Sequence, residues 1–278
     1  LSTSPDAIAV CLLYGDHTAL AARLLQSLSD LLAADGNRIV EIRCGLNAAT
    51  TPTRDLVHAW ALRASLPVQL LQADNVGKYP MMRRLLRLPA AAPHSINVKA
   101  IWFDDDAYVQ ATPGWWEAWA AACQQADVVG KIYHWYVQPG QREWYRAQPW
   151  YRDELPATLH NRRDVVKFVQ GSFWTAELQY LLELDWPIPE LYHNGGDSLL
   201  GLRVLHAGGK LGAFSRGVRV NCSLDGREDR SQRRGLDTRP LGYGYPTQPI
   251  IVPDHTFDTR HTLITGATHA ERQQCFTD

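Results

Sequence analysis

Short, continuously apolar runs alternate with stretches in which apolar residues recur every three or four positions through the first 125 residues of the chain. "AIAVCLL" (7–13) is unbroken by any polar side chain, the profile of a parallel strand buried on both faces. Leu20, Leu24, Leu25, Leu28, Leu31 and Leu32 then follow helical spacing up to the "DGN" turn at 35–37, which predicts an amphipathic helix. "RIVEIRCG" (38–45), "PVQLLQA" (67–73) and "VKAIWF" (98–103) predict three more strands, with helices over 53–65 and from near Pro80 to just before "PAAAP" at 89–93. Alternation at this spacing implies βαβ units, and therefore an α/β fold whose mostly parallel central sheet is flanked by helices.

In such sheets ligands bind beyond the carboxyl ends of the strands. "YGD" (14–16), "GLN" (45–47), "ADNVGK" (73–78) and "DDD" (104–106) follow the four strands in turn, so they are expected to line one crevice. From about residue 127 the pattern loosens. "DVVGKIYHW" and "VVKFVQ" predict strands, and the aromatic, arginine-rich stretch between them (136–164) reads as a long functional loop. "GGDSLLGLRVLHAGG" (195–209) resumes helical spacing and ends on a glycine pair suited to a C-cap, and "KLGAF" predicts a strand. Beyond Val220 the chain is polar and glycine-punctuated, and is expected to wrap over the surface or close over a ligand.

Composition narrows the function classes. Of 278 residues, 45% are hydrophobic and 21% charged, which is ordinary for a globular protein and excludes fibrous or wholly disordered architectures. With 28 basic and 29 acidic side chains there is no general electrostatic pull toward nucleic acid or an anionic membrane. Cys11, Cys44, Cys123, Cys222 and Cys275 are odd in number, widely spaced and free of any C-x-x-C pair. That argues against a disulfide framework or structural zinc and for a reducing compartment. No apolar run is long enough to span a bilayer and none reads as a signal peptide, so a soluble, cytoplasmic protein is expected.

The chemistry concentrates in "AIWFDDDAYV" (100–109). Three adjacent carboxylates repel one another unless water screens them or a cation neutralises them. At a strand end facing a ligand crevice, Asp104, Asp105 and Asp106 suit a hard or borderline divalent ion such as Mg2+ or Mn2+, which also attracts phosphates. An acidic turn in solvent, or a helix N-terminus collecting negative charge, is the plainer alternative. Asp197, at the start of the "DSLLGLRVL" helix, suits a general base; the same residue type at the same place also suits a helix N-cap.

The chain resembles the GT-A-fold nucleotide-sugar glycosyltransferases, whose "DxD" motif follows a hydrophobic strand. "WFDDDAYV" looks like the fringe-type, inverting β-1,3 group. "DNVGKYPMMRR" (74–84), "VQGSFWTAEL" (169–178) and "GGDSLLG" (195–201) are similar to the nucleotide-contacting, acceptor-side and acidic motifs of that family, in the same order. Two departures stand out: Gly196 precedes Asp197 where relatives are usually acidic, and bulky Phe173 and Trp174 stand where they commonly keep glycine.

The resemblance implies a single domain over 1–278, with a nucleotide-sugar half (1–125), an acceptor-side half (126–220) and a C-terminal tail or lid (221–278). It implies a metal-dependent, inverting transfer from a nucleotide-diphosphate sugar, a UDP-sugar by default, to a hydroxyl acceptor, with Asp197 as general base. Asp104, Asp106 and His255 would hold the metal, with His261 the alternative to His255. Tyr14, Asn75, Lys78, Arg83, Asp104 and Asp105 would contact the donor, and Ser172 and Trp174 the acceptor. Trp135, Trp144 and Trp150 would join Trp174 on that side, whereas Trp115, Trp116 and Trp119 are read as core. The arginines at 227, 230, 233, 234 and 239 suit a diphosphate lid or a solvated loop. The acceptor class stays open among glycan, small molecule, protein and modified DNA. A nucleotidyltransferase and a non-catalytic nucleotide-sugar or nucleic-acid binding module remain alternatives.

Overall fold

The structure, a computed structural model, describes residues 5–91, 93, 95–136, 143, 145–151, 165–189, 191–193, 195–220, 250–251, 259–266 and 268–275. Its first half follows the apolar pattern: β1 (Ala7–Tyr14), α1 (Thr18–Ala33), β2 (Ile39–Asn47), α2 (Thr51–Ala61), β3 (Val68–Ala73), α3 (Lys78–Leu86) and β4 (Lys99–Asp104). These four strands pair in parallel in the order β3-β2-β1-β4. A short strand β5 (Ala107–Val109) and helix α4 (Trp115–Gln125) follow.

Next come β6 (Val128–Tyr136), β7 (Val165–Glu177), α5 (Leu178–Glu183), β8 (Leu191–His193), α6 (Gly196–His206), β9 (Leu211–Ala213), β10 (Val218–Val220), β11 (Ile250–Ile251), β12 (Thr259–Ile264) and α7 (His269–Gln274). The main sheet has eight strands in the order β12-β3-β2-β1-β4-β7-β6-β9. β7 runs antiparallel to β4 and to β6, and β12 antiparallel to β3. The α/β class expected from the sequence is therefore the observed one.

Why β1 is apolar throughout is visible in its alternation. Ala7, Ala9, Cys11 and Leu13 enter one core with α1, α2 and α4, while Ile8, Val10 and Leu12 enter a second core with α3 and α6. Because successive side chains on a strand point to opposite faces, a strand covered on both sides has no position left for a polar residue.

Trp115, Trp116 and Trp119 of α4 are buried, as expected, and pack edge to face at centroid separations of 4.8 and 5.3 Å. Their indole N–H groups donate to Arg216 O, Leu31 O and Thr175 Oγ1, which removes the cost of burying three polar atoms.

The C-terminal segment departs from the tail read in the sequence. Thr259–Ile264 is an edge strand of the main sheet. Arg272 of α7, buried, donates to Ala61 O, Leu66 O and Gly266 O, closing the carbonyl end of α2. The arginines at 227–239 and His255 lie outside the described residues. The four described cysteines, Cys11, Cys44, Cys123 and Cys275, are free thiols. No helix among the described residues is long and apolar enough to cross a membrane.

Candidate active site

β4 runs one residue further than its apolar pattern and ends on Asp104, after which Asp105 and Asp106 form the turn into β5. Residues 100, 102 and 104 share a face by the period of two, so Asp104 follows Trp102 toward α3. The Trp102 indole N–H donates to Asp104 Oδ1 at 2.9 Å. Lys78 opens α3, and its ammonium donates to Asp104 Oδ2 at 2.6 Å and to Gly171 O at 3.0 Å.

Asp197 arrives from the other half of the chain, in the first turn of α6. A Cβ placed on Gly171 would lie 3.4 Å from Lys78 Nζ and 3.4 Å from Asp197 Cβ. Gly171 of β7 lies in contact range of both the lysine and the second aspartate. Two carboxylates thus face one ammonium.

The electrostatics follow from that imbalance. Burial pushes the Asp104 carboxyl above the usual carboxylate range; Lys78 pulls it back and Asp105 adds to the rise. Burial likewise raises Asp197, with Lys78 opposing and Asp104 reinforcing. Both acids bind a proton or a cation more readily than they would in water. Tyr14, at the end of β1, is pushed well up by burial and then by Asp104, Asp105 and Tyr79, which places its hydroxyl among these groups and beside Asn47.

Asp105 does not join this set. It is 5% exposed, and its Oδ2 accepts from His17 Nδ1 just ahead of α1. Asp106 is half-buried in the turn. Asn75 lies in the loop before α3: its Oδ1 accepts from Gly77 N at 3.3 Å and from Asn47 Nδ2 at 3.3 Å, and Asn47 Oδ1 accepts from Val76 N at 2.9 Å. Two asparagines therefore shape the loop that delivers Lys78.

Other sequence expectations fall elsewhere. Trp174 is 2% exposed and stacks on Trp102 across the β4–β7 pair, with centroids 5.9 Å apart and planes 12° apart. That is a core position, so the expectation that Trp174 faces an acceptor is corrected: no face of its ring is open to a ligand. Phe173 is equally buried, against Phe103. Arg83 is committed to Asp185 Oδ1 at 2.8 Å and to Pro187 O, beside Arg87 on the same carboxylate. Ser172 is half-buried on β7, next to Gly171.

His261, on β12, bonds Gln69 Oε1 at 2.8 Å, in a network discussed below. Trp150 packs with Tyr151, His206 and Arg203 along α6; Trp144 and the side chain of Trp135 lie outside the described residues. Asp197 is not the N-cap of α6. That position is Gly195, with φ of 69°, and Asp197 Oδ1 accepts from the adjacent Ser198 N at 3.0 Å.

Sequence reasoning missed His17, Tyr79, Tyr145 and Ser198. His17 directly follows the "YGD" loop that was placed at the crevice, so its position was available even if its partner was not. The Tyr145 hydroxyl lies 3.2 Å from Ser198 Oγ, and burial pushes it up to about 12. No signal in the sequence links residue 145 to residue 198.

Among the described residues no three or more His, Cys, Asp or Glu side chains converge as a ready cation cage. Mg2+ is usually held by only one or two carboxylates and completed by substrate phosphates and water, and two carboxylates, Asp104 and Asp106, stand at this strand end. The desolvated, incompletely neutralised Asp104 suits such an ion.

No protein-family model matches the sequence, and neither does any curated protein. Solved structures that superpose on it include TarS from S. aureus, with a TM-score of 0.49 at 13% identity over 80% of this chain and 38% of that one. TarS 1-349 in complex with UDP-GlcNAc gives 0.47 at 14% identity over 76% and 56% of the two chains. The mannosyltransferase PcManGT from Pyrobaculum calidifontis, in complex with GDP-Man and Mn2+, gives 0.48 at 15% identity over 77% and 57%. The chain spans less than two thirds of the length of each, and likenesses at this level do not decide its chemistry.

Proposed function

We propose that this chain is a glycosyltransferase that moves a sugar from a nucleotide-diphosphate sugar to a hydroxyl acceptor with inversion, Asp197 serving as general base. The observation that carries the reading is that Asp197 and Asp104, from opposite halves of the chain, meet at Lys78 beyond the carboxyl ends of the parallel strands. A transfer of this kind needs positive charge where the diphosphate departs and a base where the acceptor hydroxyl attacks. In this reading Asp104 would supply the first through a bound cation, and Asp197 the second.

On the donor side, Asp104 and Asp106 would hold Mg2+ or Mn2+, which when bound stabilises the charge developing on the leaving diphosphate. His255 is retained as a proposed third protein ligand. Lys78 orients Asp104 and opposes the rise in its pKa, and Tyr14 and the Asn75 loop would frame the nucleotide. On the acceptor side, Asp197 takes the hydroxyl proton at its carboxylate. Its raised proton affinity makes it a stronger base than an ordinary aspartate, and Lys78 opposes that rise.

The test is release of nucleoside diphosphate from a panel that includes UDP-GlcNAc and GDP-Man, with Mn2+ present. Wild-type protein is expected to release the diphosphate from at least one donor, and Asp197→Asn to lose at least about 100-fold in rate while still binding that donor by calorimetry. Binding of donors without release by the wild type would mean a binding module. Pyrophosphate release from a nucleoside triphosphate would mean a nucleotidyltransferase.

A further inference from the structure

The first turn of α6 has a gap in its own capping. Gly195, the N-cap, has no side chain with which to accept from the helix, although the first backbone N–H groups of any helix lack an intrahelical acceptor; Asp197 Oδ1 takes the N–H of Ser198. Gly196 follows, where the resembling enzymes carry an acid. The space such a side chain would fill is already taken. A Cβ on Gly196 would lie 2.1 Å from Cζ, 2.3 Å from the hydroxyl oxygen and 2.5 Å from Cε1 of Tyr79.

Tyr79 is 4% exposed and packs edge-on against Trp186 at 5.8 Å, with Lys78 Nζ 5.7 Å from its ring centroid. Its hydroxyl oxygen sits against Gly196, and the backbone N–H groups of Gly196 and Asp197 pull its pKa down against the rise that burial, Asp197 and Asp104 cause. The side chain that sits on this turn thus comes from more than a hundred residues away, on the helix whose first residue, Lys78, holds Asp104.

We infer that Tyr79 is a positioning residue for Asp197, its hydroxyl fixing the first turn of α6 so that the carboxylate of residue 197 stands at the acceptor edge while Lys78, its neighbour, fixes the donor edge. The inference rests on the reading of Asp197 as general base. The glycine at 196 is what admits the tyrosine, and the two residues form one unit: a side chain at 196 would displace the ring. The adjacent pair Lys78–Tyr79 therefore sets the distance between the donor carboxylates and the base through a single rigid helix end.

Tyr79→Phe keeps the ring and removes only the acceptor oxygen. It is expected to lower kcat for diphosphate release from the best donor of the panel by about ten- to a hundredfold, the range for small misplacement of a catalytic group, with donor KM and calorimetric affinity within about twofold. Amide exchange at Gly196 and Asp197 is expected to speed up at least about tenfold relative to Leu202 in the same helix, a readout that needs no substrate. Gly196→Ala, which pushes the ring aside, is expected to give the same kinetic pattern, and it replaces Tyr79→Phe should that variant melt early. Unchanged kcat in Tyr79→Phe beside an inactive Asp197→Asn would overturn the positioning role and leave the base reading intact. Full activity in Asp197→Asn would overturn the base reading instead. Unchanged exchange at both amides would overturn the capping contact whatever the kinetics.

Discussion

α3 lies between two buried ion pairs on one face of the sheet. At its first residue, Lys78 holds Asp104, with side chains 12% and 16% exposed. Toward its last turn, Arg43 holds Glu41, at 1% and 0%. In sheet register Asp104 sits level with Leu12 and Glu41 level with Ile8, so the two acids are displaced about 13 Å along the strands.

Glu41 is saturated. Its Oε1 accepts from Arg43 Nε at 2.6 Å and Gln69 Nε2 at 2.7 Å, and its Oε2 from Ala91 N at 2.7 Å. Arg43 Nη1 donates to Leu85 O and Leu86 O, closing the carbonyl end of α3, and Gln69 Oε1 extends the network to His261. At the other end one ammonium serves two desolvated acids, both of which hold protons above the ordinary range. A buried pair whose carboxylate oxygens are both hydrogen-bonded, with three donors between them, fixes geometry. One short of positive charge, at the edge of solvent, is where a cation or a proton can be taken up. The macrodipole of α3 suits both, its positive end toward the aspartates and its negative end toward Arg43.

The contrast predicts opposite phenotypes. Asp197→Asn should cost about a thousandfold in turnover with little change in melting temperature; a large loss of stability with normal turnover would reverse the roles given to the two ends. Arg43→Ala should do the converse. It should destabilise by about 3–5 kcal/mol because Glu41 is left buried without its cation, with kcat per folded molecule unchanged, and urea melts showing less than about 1 kcal/mol would mean the network is not structural.

Trp174→Ala sharpens the same division on the next strand. A core tryptophan removed from its stack on Trp102 should cost about 3–5 kcal/mol, whereas an acceptor-binding one would raise acceptor KM with little effect on stability.

Lys78→Met tests the charge deficit through pH. The base works ionised, so turnover falls as pH drops through the Asp197 pKa, which burial already holds above the usual carboxylate value. Lys78 lowers the pKa of both Asp197 and Asp104. Removing it should therefore move the acidic limb of the pH–rate profile to higher pH, and a limb that stays in place would detach Asp197 from Lys78. The smallest effect belongs to Arg83→Ala. Its partner Asp185 is 51% exposed, so the pair should contribute no more than about 1 kcal/mol, with donor KM unaltered. A marked rise in KM would return Arg83 to the donor site.

How much of this was legible in the chain depended on the range of the interaction. Strand β1, helix α1 and the acidic end of β4 are local patterns, and the sequence carries them openly. β7 was harder to see, because Gly171 and Ser172 interrupt its apolar run and split one strand into two pieces. β12 was harder still: it is an edge strand whose residues, apart from Ile264, are half-buried or exposed, so burial imposed little pattern on it. Trp174 misled for the opposite reason. Tryptophan suits both a sugar platform and a core, and only its register opposite Trp102 separates the two.

The order of strands and helices, the parallel sheet and the position of the aspartate triplet at a strand end were determined by the amino-acid sequence alone, because they follow from residue periodicities that each element satisfies by itself. Which charges meet was decided only by the tertiary structure. That Lys78 holds Asp104 near Asp197, that Asp105 is held by His17, and that a tyrosine from α3 packs on the glycine preceding Asp197 all depend on contacts between segments far apart in the chain. No local period encodes such contacts; they exist only once burial of the two cores has brought the segments together.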